Sequence, residues 1–403
     1  MKRDLLYICG GRSFFSATPG RKIGEVVKCW RIAGYGVTHV CGGDVLSQSR
    51  KGVATLVSYG SQATYTRWYK KLPGIDPFVH TLSEWRDIEH DKRILAHLHK
   101  NYTSRQVHLV WERSSRLHSA GLHFARQIKV PYVLEWKDHL VDYDLSLFRG
   151  RALKLEALKN HEADYIVVES GVLKDALARE GVDQAKILVA HNAVDVTEFS
   201  KSETERVRVR AELGIGEDVV LAGYLGSYAF YHDATCLVRA AALIAKERRD
   251  RQVKVLMVGA GKEYPESWAL AKELGVLDDT LLMLPGVPKE RVPGLLSALD
   301  IAVLPGSTDI ICPIKVQEYM ASLLPTVAPD YACNREVLRD GVTGALFEPK
   351  EAEALTDKIL LLANDGALRL RMGHQAREDV SKRFTWQATW GAALARILEE
   401  TAS

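Results

Sequence analysis

One stretch constrains the fold of this chain more than any other. Ala298-Leu-Asp300-Ile-Ala-Val-Leu-Pro305 is an apolar run of strand length, and Gly306 to Cys312 is a loop. Pro313-Ile-Lys315-Val-Gln-Glu318-Tyr-Met-Ala321 then opens a helix that runs toward Ser322-Leu-Leu-Pro325-Thr-Val-Ala328. Strand, loop, helix and strand in about thirty residues make one unit of a parallel α/β sheet. Pro313 suits the first helical turn, where a missing N–H costs nothing, and the free N–H groups of that turn point into the loop. A helix N-terminus above the carboxyl edge of a sheet is a ready anion site. Lys315 and Glu318 stand at i and i+3 and face the same side. One can meet a phosphate and the other can accept from hydroxyls, a pair suited to a nucleoside diphosphate sugar. Taken alone, the two also read as a solvated surface pair.

The 403 residues exceed one comfortable core and suit two domains of about 200 each. Apolar runs such as Leu5-Leu-Tyr-Ile-Cys9 fall far short of the roughly 18 residues that span a bilayer. That short run, followed by Gly10-Gly11, reads as a strand and turn rather than a signal segment, which predicts a cytoplasmic protein. Six cysteines without a Cys-x-x-Cys pair predict buried free thiols. The net charge of +3 hides an asymmetry: residues 1–150 carry 23 Lys+Arg against 13 Asp+Glu, a balance of +10, and the remainder 31 against 38, a balance of −7. The basic half is either a solvated surface or the side that meets an anionic acceptor or membrane face. No feature points to nucleic acid.

In chain order, a strand at Asp4–Cys9, the loop with Gly10 and Gly11, a helix over Arg21–Ala33 and a strand at Val37–Cys41 open a Rossmann-like domain. The glycines do not follow Gly-x-Gly-x-x-Gly, and Asp44 is a weak ribose-binding acid, so the loop reads as a cleft wall rather than a nicotinamide site. Further strands are predicted at Val53–Tyr59, Val107–Trp111, Val130–Trp136, Ala163–Val168 and Lys186–Ala190, with helices over Thr81–Asn101 and Leu145–His161. Strand ends carry Glu112-Arg113 and Glu135-Trp-Lys137-Asp138-His139, where an open α/β sheet places its chemistry. His80, His90, His97 and His99 lack metal-ligand spacing. The polar stretch Val196–Glu205 reads as the domain boundary. A second series begins with the strand Asp218–Gly226, the loop Ser227–Asp233 and a helix over Ala234–Lys246. It continues through the glycine turn at Gly259-Ala-Gly261, the run Leu281–Leu284, the turn Pro285-Gly286-Val287-Pro288 and helices at 289–298, 351–364, 367–382 and 385–400.

The helix at Pro313–Ala321, with Glu336 and Asp340-Gly341-Val-Thr-Gly344-Ala-Leu-Phe-Glu-Pro349, resembles the signature of glycosyltransferase family 4, retaining enzymes of the two-domain GT-B fold. The run from Ala163 to His191-Asn192-Ala-Val-Asp195 and the turn at 285–288 are similar to the same family. The resemblance implies two Rossmann-like, doubly wound domains facing across a cleft. Residues 1–200 would bind the acceptor, 201–384 the nucleotide sugar, and 385–403 would cross back as a helix. It implies metal-independent transfer of a hexosyl group, without a cofactor, to a saccharide, lipid-linked or small-molecule acceptor; peripheral membrane contact is the reading that the basic half leaves open. Where the family binds diphosphate through Arg and Lys, this chain has Ser227 and His232, as in a variant reading Gly-Ser-(Phe/Tyr)-x-x-aromatic-His. Ser227 can donate through its hydroxyl and His232 when protonated, which leaves Lys315 as the compensating cation. Glu318 is implied at the ribose, Gly286 and Val287 at the base, and Asp309 and Ile311 beside the sugar, where Ile310 stands in place of a family glutamate. Glu135 is implied near the donor sugar with Lys137 or His139 on the acceptor side; pairing of Glu135 with Arg113 is the other reading. Asp142-Tyr-Asp144 reads as an acidic helix-leading turn rather than a metal motif. Two rivals remain: a nucleotide-sugar epimerase of GT-B architecture, and a binder without turnover.

Overall fold

The computed structural model describes residues 4–9, 17–41, 44–46, 76–137, 146–247 and 252–402. The expected strand at Val53–Tyr59, and Gly10, Gly11, Asp138, His139, Asp142 and Asp144, lie outside them. The chain divides into two compact units, one of Met1–Glu169, Leu173–Ala190 and Trp390–Ser403, the other of Ser170–Val172 and His191–Thr389.

Among the described residues the first unit has seven strands: β1 (Asp4–Cys9), β2 (Gly36–Cys41), β3 (Asp44–Leu46), β4 (Val107–Arg113), β5 (Tyr132–Glu135), β6 (Tyr165–Val168) and β7 (Ile187–Val189). Their order is β3-β2-β1-β4-β5-β6-β7, parallel except for β3, which returns antiparallel along β2. Leu5, Leu6, Ile8, Leu109, Val110, Val133 and Val167 are buried, the continuous apolar pattern of a sheet covered on both faces. Chain order reverses between β1 and β4, the switch point at which open sheets of this kind hold ligands.

The second unit has six parallel strands: β8 (Val220–Leu225), β9 (Val253–Gly259), β10 (Leu281–Pro285), β11 (Ile301–Val303), β12 (Thr326–Pro329) and β13 (Gly344–Phe347), in the order β10-β9-β8-β11-β12-β13. Its switch point lies between β8 and β11. Leu221, Leu256, Ala302, Val316 and Val327 belong to one buried core that joins sheet and helices.

The polar stretch Val196–Glu205 leads into a helix, Glu203–Glu212. Ser202 caps it, its Oγ accepting from Glu205 N–H at 3.3 Å. Arg206 and the buried Arg210 fasten that helix to Asp300, at 2.9 and 3.2 Å. The helix Tyr264–Glu273 is a further element that apolar periodicity did not reveal. At the C-terminus a π-turn at Gln387–Gly391 precedes the helix Ala392–Ala402. Within the first unit, Trp30 Nε1–H donates to the Trp390 carbonyl at 3.0 Å, and the Trp390 ring lies 6.1 Å from Trp111. Cys9, Cys29, Cys236, Cys312 and Cys333 are buried free thiols. Among the described residues no helix is long and apolar enough to cross a membrane.

Candidate active site

Lys315 rises from the first turn of the helix Ile314–Ala321 at the switch point of the second sheet. Pro313 occupies the N-cap, one place earlier than expected, with φ −66° and ψ 141°. The Lys315 ammonium lies 3.0 Å from the Tyr224 hydroxyl and 3.1 Å from His232 Nε2. These distances fix the proton arrangement. Tyr224 O–H donates to the Ser227 carbonyl at 2.7 Å, and His232 Nδ1–H to the Gly306 carbonyl at 3.2 Å. Each is therefore left with a lone pair that accepts from Lys315. Two of the three ammonium donors are thus spent on neutral acceptors, and among the described residues Lys315 forms no ion pair. Burial pushes its pKa down to about 7, opposed by the charge of Glu318, itself buried one turn along the helix.

His232 corrects an expectation. Burial, followed by the neighbouring Lys315 charge, pushes its pKa down to about 3, so at neutral pH it is an uncharged imidazole. Its geometry orients Lys315 and does not make it a cationic donor.

Glycines let the backbone close around this point. A Cβ on Gly226 would lie 2.3 Å from the Lys315 ammonium, and one on Gly259 would lie 1.7 Å from the Gly226 carbonyl oxygen. The loop after β11 is pinned at its far end by Ser170 Oγ, which donates to the Ile310 carbonyl, and by Asn192 Nδ2, which donates to the Cys312 carbonyl at 3.0 Å. Asp309 on this loop is exposed and Ile311 half-buried. Ser227 is exposed beside Gly226. Gly286 and Val287 follow β10, and a Cβ on Gly286 would meet that of Ala260 at 3.5 Å, so their turn lies against the glycine turn after β9. Glu336 accepts from the backbone N–H groups of Gly171 and Val172, at 2.8 and 3.2 Å, and lies 2.7 Å from His191 Nε2.

The first unit carries a different polar cluster at its strand ends. Glu135 is fully buried and uses both oxygens: Arg113 donates to Oε1 at 2.7 Å, while Tyr7 O–H and Trp111 Nε1–H donate to Oε2 at 2.6 and 3.2 Å. The strand-end pairing with Arg113 is thus what the geometry shows, and the carboxylate is engaged rather than presented to a donor sugar. Glu169 lies 2.5 Å from the Lys22 ammonium and 3.5 Å from that of Lys137, the one partly exposed member. Lys22 also sits 4.0 Å over the Trp390 ring. Burial pushes Lys22 down to about 8 although Glu169 and Glu135 oppose it.

Tyr224, Lys22 and Glu169 were not singled out from sequence. Tyr224 sits inside an apolar strand, and Lys22 and Glu169 are brought together only by strand order.

Two parallel α/β sheets, the second with glycine turns and a half-buried cation at its switch point, define a protein of the GT-B glycosyltransferase class. The model of the glycosyl transferase 4-like domain matches residues 18–193 and that of glycosyl transferases group 1 residues 205–379. The chain belongs to the glycosyltransferases of this family 4 type. It is similar to the D-inositol 3-phosphate glycosyltransferase of Nocardia farcinica, at 28% identity over 234 residues, covering 57% of this chain and 51% of that protein. The enzyme of the same name from Corynebacterium kroppenstedtii is 29% identical over 234 residues, with 56% and 51% covered. The chain thus spans about half the length of the curated relatives it matches. Among solved structures, HepE of Anabaena in complex with UDP superposes with a TM-score of 0.73 at 16% identity over 98% of this chain and 100% of that one. Sucrose-phosphate synthase of Thermosynechococcus elongatus gives 0.73 at 17% identity, with both chains covered fully. These structural likenesses bear on the fold alone.

Proposed function

We propose that the protein transfers a hexosyl group, with retention, from a nucleoside diphosphate sugar to a saccharide, lipid-linked or small-molecule acceptor. The observation that carries this reading is Lys315, a half-buried ammonium at the switch point whose bonded partners are neutral and whose charge is left for an anionic ligand. The diphosphate lies against Lys315, the N–H groups of the first turn at Ile314–Lys315 and the Ser227 hydroxyl, which stabilise it as it leaves. Glu318 accepts from the ribose hydroxyls, the backbone at Gly286 and Val287 takes the base, and Asp309 and Ile311 flank the sugar. The acceptor oxygen bonds to the anomeric carbon as the bond from that carbon to the phosphate oxygen breaks. The acceptor proton passes to the departing diphosphate on the same face. No divalent metal is needed for this charge balance.

HepE, which shares this fold, is seen in complex with UDP and with UDP-glucose, and a nucleotide sugar is the donor we propose for this chain too. An acceptor at a lipid surface is supported by Leu147 and Trp85, 82% and 57% exposed, with Arg149, Arg151 and Lys154 exposed beside Leu147. Ser146 donates to Glu84, which brings the two apolar residues' neighbourhoods together. A basic, apolar face of this kind suits peripheral contact with an anionic membrane. Lys137 and His139 are the acceptor-side candidates.

The test is a panel of UDP-, GDP- and ADP-sugars assayed for hydrolysis and for transfer to membrane and glycan fractions. Release of one nucleoside diphosphate, stimulated by acceptor, is expected. Epimerised free donor without transfer, or binding without turnover, would overturn the reading.

A further inference from the structure

We propose that Phe230 and Tyr231 form an aromatic shelf on which the sugar ring of the donor stacks; the proposal rests on the donor site described above. The two residues lie on a single 3-10 turn, Phe230–His232, and are 79% and 39% exposed. A file of rings runs outward from the half-buried cation. His232 is 3.1 Å from Lys315, the Tyr231 ring is 4.5 Å from that of His232, and the Phe230 ring is 5.2 Å from that of Tyr231.

The turn is held from both sides. Tyr228 N–H donates to the Ala260 carbonyl at 3.0 Å, and the Tyr228 carbonyl accepts from Glu263 N–H at 3.1 Å. On the other side His232 is bonded to Gly306, and Asp233, at φ 45°, caps the following helix by accepting from Cys236 N–H at 3.3 Å. A single exposed apolar side chain is ordinary on a protein surface. Two adjacent aromatic rings, fixed by backbone bonds and continuous with a half-buried ammonium, are a built feature.

Sheet order selects the occupant. The turn at Gly286, placed at the base in the donor site, follows β10, and the turn at Gly259–Gly261, against which it lies, follows β9, both on one side of β8. Gly306, to which His232 is bonded, follows β11 on the other side. A nucleoside diphosphate sugar laid across Lys315 with its base toward β9 and β10 directs its sugar toward β11, where the shelf stands. The shelf carries no charge; its two rings stand at 83° to one another, so one offers its face to the C–H face of a pyranose and the other its edge.

Calorimetry on the full chain tests this with UDP, GDP and ADP and the glucose conjugate of each, using the parent, Phe230→Ala, Phe230→Trp and the double variant Phe230→Ala/Tyr231→Ala. The double variant should bind the selected diphosphate within about twofold of the parent and its sugar conjugate about tenfold more weakly, with Phe230→Trp close to the parent. An equal loss for diphosphate and conjugate would assign the rings to the base or to folding. An unchanged ratio with a raised acceptor KM would assign them to the acceptor. Either result overturns the proposal while leaving the donor site standing. A parent that binds no diphosphate and no conjugate removes the donor site itself, and the shelf with it.

Discussion

Lys22, buried, and Lys315, half-buried, both bring an ammonium group beside the strand ends of a parallel sheet, one in each unit, and the chain surrounds them with opposite chemistry. Lys22 has Glu169 at 2.5 Å, Glu135 at 3.7 Å and an aromatic face. Its charge is balanced within the protein. Lys315 has a phenol and a neutral imidazole. Its charge is solvated by dipoles and balanced by no bonded carboxylate. A buried cation beside carboxylates holds a fold together, because removing one member strands the other. A half-buried cation beside neutral acceptors stays available to a ligand anion, at the cost of a depressed pKa.

The largest effect expected from this contrast is on stability, in the first unit. Glu169→Ala leaves Lys22 desolvated with only Glu135 at distance, and should cost about 3–5 kcal/mol in urea unfolding. Burial alone would raise the Glu169 carboxyl, but Lys22, then Lys137 and Arg113, outweigh it and hold it well below 4.5. Its folded pKa lies below its unfolded one, so this contribution is complete above about pH 4.5 and is lost as pH falls below that value. A Glu169→Ala variant with an unchanged urea midpoint at pH 7 would show that Lys22 is not fastened this way.

In the second unit the effect should appear in turnover instead. Lys315→Ala should lower kcat by about 10²-fold or more, the scale of losing one donor to a developing anion. Its melting temperature should stay level or rise, since a desolvated charge has gone. A few-fold change in kcat would make Lys315 a structural lysine like Lys22.

Glu318→Gln sharpens the comparison further. A carboxylate that accepts from ribose hydroxyls contributes roughly 1.5–3 kcal/mol, so the variant should bind donor about tenfold more weakly and discriminate less against 2′-deoxyribose donors. Equal discrimination by parent and variant would take Glu318 out of the ribose site. The smallest expected effect is none at all: transfer should proceed at the same rate in EDTA, because Lys315 and helix N–H groups supply the positive charge. Activity lost to chelation and restored by Mg²⁺ would contradict that balance.

The sequence made some of this readable for physical reasons. Lys315 and Glu318 sit three residues apart on one short helix, so local periodicity alone puts them on one face. The glycines at 226, 259 and 306 each follow an apolar run of strand length, so their place at a sheet edge could be seen too. What local pattern does not encode is which strand ends become neighbours. The Glu135–Arg113 pair was visible as an option, whereas Lys22 joining Glu169 depends on strand order across more than a hundred residues. The polar stretch Val196–Glu205 reads as a domain boundary, although Ser202-x-x-Glu205, which opens the helix Glu203–Glu212, carries the sequence of a capping box. That His232 is uncharged at neutral pH was not legible, because residue type does not report burial.

The most direct test of the central claim is proton uptake. With Lys315 depressed to about 7 in the free protein, most chains at pH 8 carry it uncharged, and a diphosphate arriving beside it should draw a proton from solution. Titration of the nucleoside diphosphate selected by the donor panel, at pH 8 in two buffers of different ionisation enthalpy, should show uptake of about half to one proton. The uptake should vanish in Lys315→Ala. Tight binding by the parent with no proton uptake would contradict the account, because Lys315 would then not be a depressed lysine that gains its charge as the ligand arrives.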